Sequence, residues 1–196
     1  AVFELGCHCT GRILSYQTML GQLQDAGNIS TLAHYLELLT EVGLVGGVLK
    51  FSADKARQKA SNPKLQVFNT ALMTASGHLS FRKMQQDEEA WNQLIKSSIG
   101  AHILNSALGT KIDVFYWKEG SNEIDFVIRK DERIVTITIE DDKKKPSFRG
   151  VEEFSHLYTP QRNLFVGEGG ISVEQFLLTP LEFWMDGTSE KLRESA

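Results

Sequence analysis

Three runs of strand-period sequence between Val114 and Ile139 constrain the fold of this chain more than any other feature. Val114, Tyr116 and Lys118 alternate with Phe115 and Trp117, and Ile124, Phe126 and Ile128 alternate with Asp125 and Val127. The third run, Ile134 to Ile139, is β-branched throughout. A period of two predicts strands. The stretches between them, Glu119-Gly120-Ser121-Asn122 and Lys130-Asp131-Glu132-Arg133, are short and polar, so an antiparallel meander is expected. After it, Val151 to Tyr158 carries Val151, Phe154 and Leu157 at helical spacing, and Asn163 to Gly167 is a compact strand. Gly167-Glu168-Gly169-Gly170 does not have the Gly-Lys-Ser/Thr continuation of a phosphate loop.

Asp125 is an acid set inside a strand between apolar neighbours. Alternation alone places it on a solvated face. With partners it could instead hold Mg2+ for phosphodiester cleavage, which calls for a second carboxylate and a lysine, commonly as Glu-X-Lys on the next strand. The next strand reads Thr136-Ile137-Thr138-Ile139-Glu140-Asp141, without Glu-X-Lys.

Towards the N-terminus the pattern changes to helical. Ser15 is placed to cap a helix from Tyr16 to Asp25, and Ser30 a second one carrying Leu32, Tyr35, Leu36 and Leu39. Leu44 to Phe51 and Lys64 to Phe68 read as a strand and its return. Helix, turn, helix and hairpin together predict a winged helix, with Lys50, Lys55, Arg57, Lys59 and Lys64 on or beside the wing as phosphate-contacting candidates. The exposed candidates on the second helix are Thr31, Ala33, His34, Glu37 and Thr40, none of them a bidentate reader of base edges, and Glu37 and Glu41 carry the wrong charge for phosphate. Any nucleic-acid binding is therefore expected to be weak, salt-sensitive and non-specific.

Charge agrees. Up to Ser80 the chain has six Lys+Arg and five Asp+Glu, and beyond it 15 and 20, for a net charge of -4, so neither half is a basic nucleic-acid module. Cys7-His8-Cys9 has no second Cys/His cluster to complete a zinc site, and two cysteines make no disulfide framework. With no disulfide framework an intracellular, cytoplasmic setting is expected; no apolar run is long enough for a membrane span, and the chain opens on Ala1 rather than Met, as a fragment would. Asn69 to Met84 reads as a connector. Asp87 then opens a long helix, with Trp91, Leu94, Ile95, Ile99 and Ile103 along one face and His102 on or beside it. Two modules are expected, a winged helix-turn-helix with connector over 1–80 and an α/β domain with C-terminal tail over 81–196; the tail is expected to fray from Asp186.

Several phrases in order carry a resemblance. They are Ser15-Tyr16, Gly27-Asn28 with Thr31-Leu32-Ala33-His34-Tyr35-Leu36-Glu37, Ser61-Asn62-Pro63-Lys64, Asn69-Thr70-Ala71-Leu72, Gly100-Ala101-His102, Tyr116-Trp117, Glu123-Ile124-Asp125-Phe126 and Val166-Gly167. Spanning nearly the whole chain, they resemble the C-terminal region of prokaryotic AAA-type P-loop ATPases, in which a winged helix and a PD-(D/E)XK nuclease-like domain follow the motor. The resemblance implies an α/β (α+β) fold of those two modules. Nothing here resembles a Walker A or Walker B sequence, so ATP and Mg2+ are expected only for the missing ATPase module.

The resemblance also implies a nuclease site, and this chain departs from it. A helix Glu four residues before Gly-Ala-His falls on Lys96, while the acids of the middle strand are kept at Glu123 and Asp125. The Glu-Val-Lys of the next strand falls on Thr138-Ile139-Glu140; shifted by two residues, it would put Glu140 at the acid and Asp142 at the lysine. Either register loses the lysine and leaves Asp125 as the main, weak metal ligand. The expected function is a non-catalytic binding or regulatory region of a larger ATPase, engaging its own ATPase domain or another protein, with homo-oligomerisation left open. The alternatives are a metal-dependent nuclease using Mg2+, with Lys96 supplying positive charge, or a DNA-binding regulator working through the wing.

Overall fold

A computed structural model of the protein describes residues 1–24, 27–77, 80–140 and 148–186. The expected helix end at Asp25, the turn residue Ala26, Asp142 and the tail beyond Asp186 lie outside the described residues. The fold is mixed α/β and divides into two compact units, Ala1–Asn105 and Ser106–Ala196.

In the first unit, α1 (Val2–His8) is followed by an isolated antiparallel bridge from Ile13 to Lys64, then by α2 (Tyr16–Gln22) and α3 (Ile29–Glu41). The cap on α2 is Ser15, whose Oγ accepts the Thr18 N–H at 3.0 Å. The cap on α3 is Asn28 rather than Ser30: the Asn28 backbone is extended and its Oδ1 accepts the Thr31 N–H at 3.0 Å, whereas Ser30 is already inside the helix. The hairpin of β1 (Val45–Lys50) and β2 (Lys64–Val67) is antiparallel, with Val45 opposite Val67. Between its strands the expected loop contains a short helix, α4 (Lys55–Lys59), nucleated by Asp54, whose Oδ1 accepts the Ala56 N–H at 2.8 Å. Cys7, Met19, Leu32, Leu36, Val45, Leu65 and Val67 form one apolar core. The fit is close, since a Cβ on Gly6 would stand 2.5 Å from Val45 Cγ1.

Two short helices, α5 (Ala71–Ser76) and α6 (Phe81–Gln86), lead to α7 (Glu88–Ala107). The expected boundary at 80/81 differs from the observed division after Asn105, because buried polar groups tie α7 to the first unit. Thr10 Oγ1 and Ser97 Oγ lie 2.9 Å apart, Gln66 Nε2 donates to the Ser97 carbonyl at 3.0 Å, and Asn105 Nδ2 donates to the Phe68 carbonyl at 2.7 Å. Thr10, Gln66 and Ser97 are buried, and a buried amide or hydroxyl is costly unless hydrogen-bonded, so their bonds fix where α7 sits, with the exposed Asn105 adding a bond at its end.

In the second unit, β3 (Asp113–Glu119), β4 (Asn122–Lys130) and β5 (Arg133–Ile139) form the expected antiparallel meander. Gly120 and Asp131, both with φ of 55°, make its tight turns. A bulge separates the pairs Phe115–Val127 and Trp117–Ile124. Helix α8 (Phe148–Tyr158) precedes β6 (Arg162–Val166), which lies parallel to β5 with Ile137 opposite Leu164. Phe154 of α8 meets Trp117 edge-on at 5.5 Å between centroids. The residues after β6 fold into α9 (Val173–Leu178), capped by Ser172 Oγ on the Gln175 N–H at 3.1 Å, and α10 (Leu181–Asp186). Asp186 is anchored rather than frayed: Lys130 Nζ reaches its carboxylate at 3.1 Å and Arg133 pairs with it too. Consecutive residues Phe126, Val127 and Ile128 are all buried, so β4 is covered on both faces.

Candidate functional site

The acids singled out by sequence lie on or just beyond β4 and β5, near where the ladder between these strands ends. The last register pair is Phe126 with Ile137, so the next residues across are Asp125 and Thr138. Residues directly opposite share a face of the sheet. The half-buried Asp125 accepts the Ile139 N–H through Oδ2 at 2.8 Å, standing in for a strand carbonyl. Thr138 is only 6% exposed, and its Oγ1 makes no hydrogen bond among the described residues.

The other two acids are also engaged. Glu140 follows β5 and turns onto the loop after β6: its Oε2 accepts the Gly169 N–H at 2.7 Å, and a Cβ on Gly167 would meet Glu140 Cβ at 2.5 Å. Gly167 has a φ of +153°, so glycine meets both the conformational and the steric demand. Glu123 pairs with Lys118 at 3.0 Å, and Gly150 at the start of α8 lies against its backbone, where a Cβ would stand 3.0 Å from the Glu123 carbonyl oxygen. Lys96 lies on α7 in the first unit, whereas Glu123, Asp125, Thr138 and Glu140 belong to the second.

Chemically, this is a poor first shell for Mg2+. One oxygen of Asp125 and one of Glu140 are committed to backbone N–H groups, and the position across from Asp125 offers a hydroxyl in place of a carboxylate. Among the described residues no three His, Cys, Asp or Glu side chains are grouped to hold a metal ion. Gly169 is a site residue that the sequence did not reveal; the sole signal was the glycine density of residues 167–170, which identifies a loop but not the carboxylate it receives.

Electrostatics reach one neighbour. Tyr116 is 3% exposed, and burial, with a smaller contribution from the Glu123 carboxylate, pushes its hydroxyl up to about 12. Because the folded value lies above the ordinary value of about 10, Tyr116 contributes stability that is intact below about pH 10 and is lost as pH rises through about 12. Alkaline unfolding followed by circular dichroism should therefore show a fall in stability across that window that is reduced in Tyr116→Phe. An unchanged profile in the variant would mean that Tyr116 ionises as it does in water.

The first unit holds the other candidates. Lys55, Arg57 and Lys59 are exposed on α4, and Arg57 pairs with Asp54 at 3.7 Å. Lys50 is half-buried on β1, and Lys64 is 3% exposed on β2, which removes Lys64 from the exposed phosphate-contacting set. Along α3, His34, Glu37 and Glu41 are exposed, with His34 Nδ1 3.9 Å from Glu37. Burial keeps the Cys7 and Cys9 thiols above their ordinary range, and they are not bonded to each other. Among the described residues no helix is long and apolar enough to cross a membrane.

Compared with known protein families, with curated proteins and with solved structures, the chain matches none.

Proposed function

We propose that this chain is a non-catalytic binding and regulatory region of a larger AAA-type ATPase, built from a winged helix and a degenerate PD-(D/E)XK nuclease-like domain. Helix, bridge, two helices and hairpin, in that order, support the winged-helix reading of the first unit. An antiparallel meander continued by a parallel strand after α8 supports the nuclease-like reading of the second. One observation carries the loss of catalysis: across from Asp125, whose Oδ2 is bound to the Ile139 N–H, stands buried Thr138 rather than a carboxylate.

A catalytic metal site would need that second carboxylate and a cation beside the attacking water. Glu140 adds negative charge where the resemblance places a lysine, and its contact with Gly169 fixes it to a loop. Calorimetric titration with Mn2+ tests the reading. No saturable binding below the millimolar range is expected; stoichiometric binding that disappears in Asp125→Asn would replace it with the metal-dependent nuclease.

A further inference from the structure

The first unit contains an open groove of about 700 Å3 between α3 and β1, lined also by Tyr16 of α2. Its apolar surface comes from Leu36, Gly47 and Leu49, and Glu37 and Glu41 stand over it from α3. The volume is that of a site able to receive several side chains. Glu37 and Glu41 are four residues apart, so both project from one side of the helix and repel each other. Their field reaches into the groove, since the Glu37 charge adds to burial in raising the Tyr16 hydroxyl above its ordinary range.

The complementary pattern is found on the same unit. Lys55 and Lys59 are likewise four residues apart on α4, both exposed, and α4 spans only about 7.5 Å. Two carboxylates one helical turn apart and two ammonium groups one helical turn apart are matched in both sign and spacing. Base reading by α3 is disfavoured by the same two acids, whereas a lysine-bearing helix is what they suit.

We infer that the groove between α3 and β1 receives α4 of a second copy of this chain, with Lys55 and Lys59 of one copy against Glu37 and Glu41 of the other. Groove and helix belong to one unit, so a two-fold axis makes the exchange reciprocal and closes the assembly as a dimer. Solvent-exposed ion pairs are individually weak and screened by salt, so the dimer is weak and salt-sensitive. This goes beyond the non-catalytic reading and does not depend on it, because the groove and α4 belong to the first unit and Asp125 to the second.

Sedimentation equilibrium of the whole chain tests it. A monomer–dimer equilibrium is expected at low ionic strength, with an association constant that falls by about tenfold or more in raised salt. Glu37→Lys/Glu41→Lys and Lys55→Glu/Lys59→Glu should each be monomeric alone, with unchanged circular dichroism. Mixed in equal amounts they should form a heterodimer, since each α4 then meets a groove of opposite charge. A wild-type chain that stays monomeric at low salt overturns the inference, as does a mixture of the two variants that does not associate. A monomeric chain that binds a random-sequence duplex through Lys55 and Lys59 also overturns it and assigns α4 to nucleic acid.

Discussion

Thr138→Glu should lower the stability of the chain by about 3–5 kcal/mol without divalent metal, and Mn2+ should recover a large part of that loss. The position is 6% exposed and lies across from Asp125, so a new carboxylate there would be buried, unpaired and beside a second negative charge. A divalent ion between two such carboxylates would relieve both penalties, contributing about 2.7 kcal/mol at a concentration one hundred times its Kd. Thermal unfolding with and without Mn2+ measures this directly. Thr138→Gln, of equal size and no charge, should show no response to Mn2+. A Glu variant as stable as the parent would mean that residue 138 does not face Asp125, and a destabilised one indifferent to Mn2+ would mean that the cluster has no room for the ion.

Asp125→Ala should cost about 1–3 kcal/mol, whereas Asp125→Asn should retain most of the stability. The alanine leaves the N–H of Ile139, a residue only 6% exposed, without the acceptor it has at 2.8 Å. Asparagine keeps a carbonyl oxygen in nearly the same place and loses only the charge. Urea denaturation of the three proteins distinguishes the roles. Equal stability of parent and alanine variant would show that water satisfies the N–H, which would remove the structural explanation for an acid inside this strand.

The strands of the second unit were legible because a two-residue period survives for three consecutive runs, and short polar turns leave little choice of topology. Asp125 was legible as an exception to that pattern. Its partner was not, because the bond to Ile139 arises where the ladder stops, and strand ends depend on packing rather than on period. Glu140 was likewise visible as an acid after a strand, while Gly169 is brought to it only by the parallel pairing of β6. Helix starts depended on which of two neighbouring cap residues was extended, and Asn28 rather than Ser30 is extended here. Helix α4 was hidden by its length, since five residues carry no measurable periodicity and depend on the Asp54 cap. The division after Asn105 was hidden for a different reason. Thr10, Gln66 and Ser97 are separated widely in sequence and have no apolar pattern, yet their buried hydrogen bonds decide where α7 belongs.

The proposed absence of catalysis is tested most directly by incubating the purified chain with single- and double-stranded DNA in Mg2+ and in Mn2+, beside the Asp125→Asn variant. Neither metal should support cleavage by either protein, because Thr138 stands where a second carboxylate is required and Glu140 is held by the Gly169 N–H. Metal-dependent cleavage by the parent, abolished in a folded Asp125→Asn chain, would contradict this and make the second unit a working nuclease.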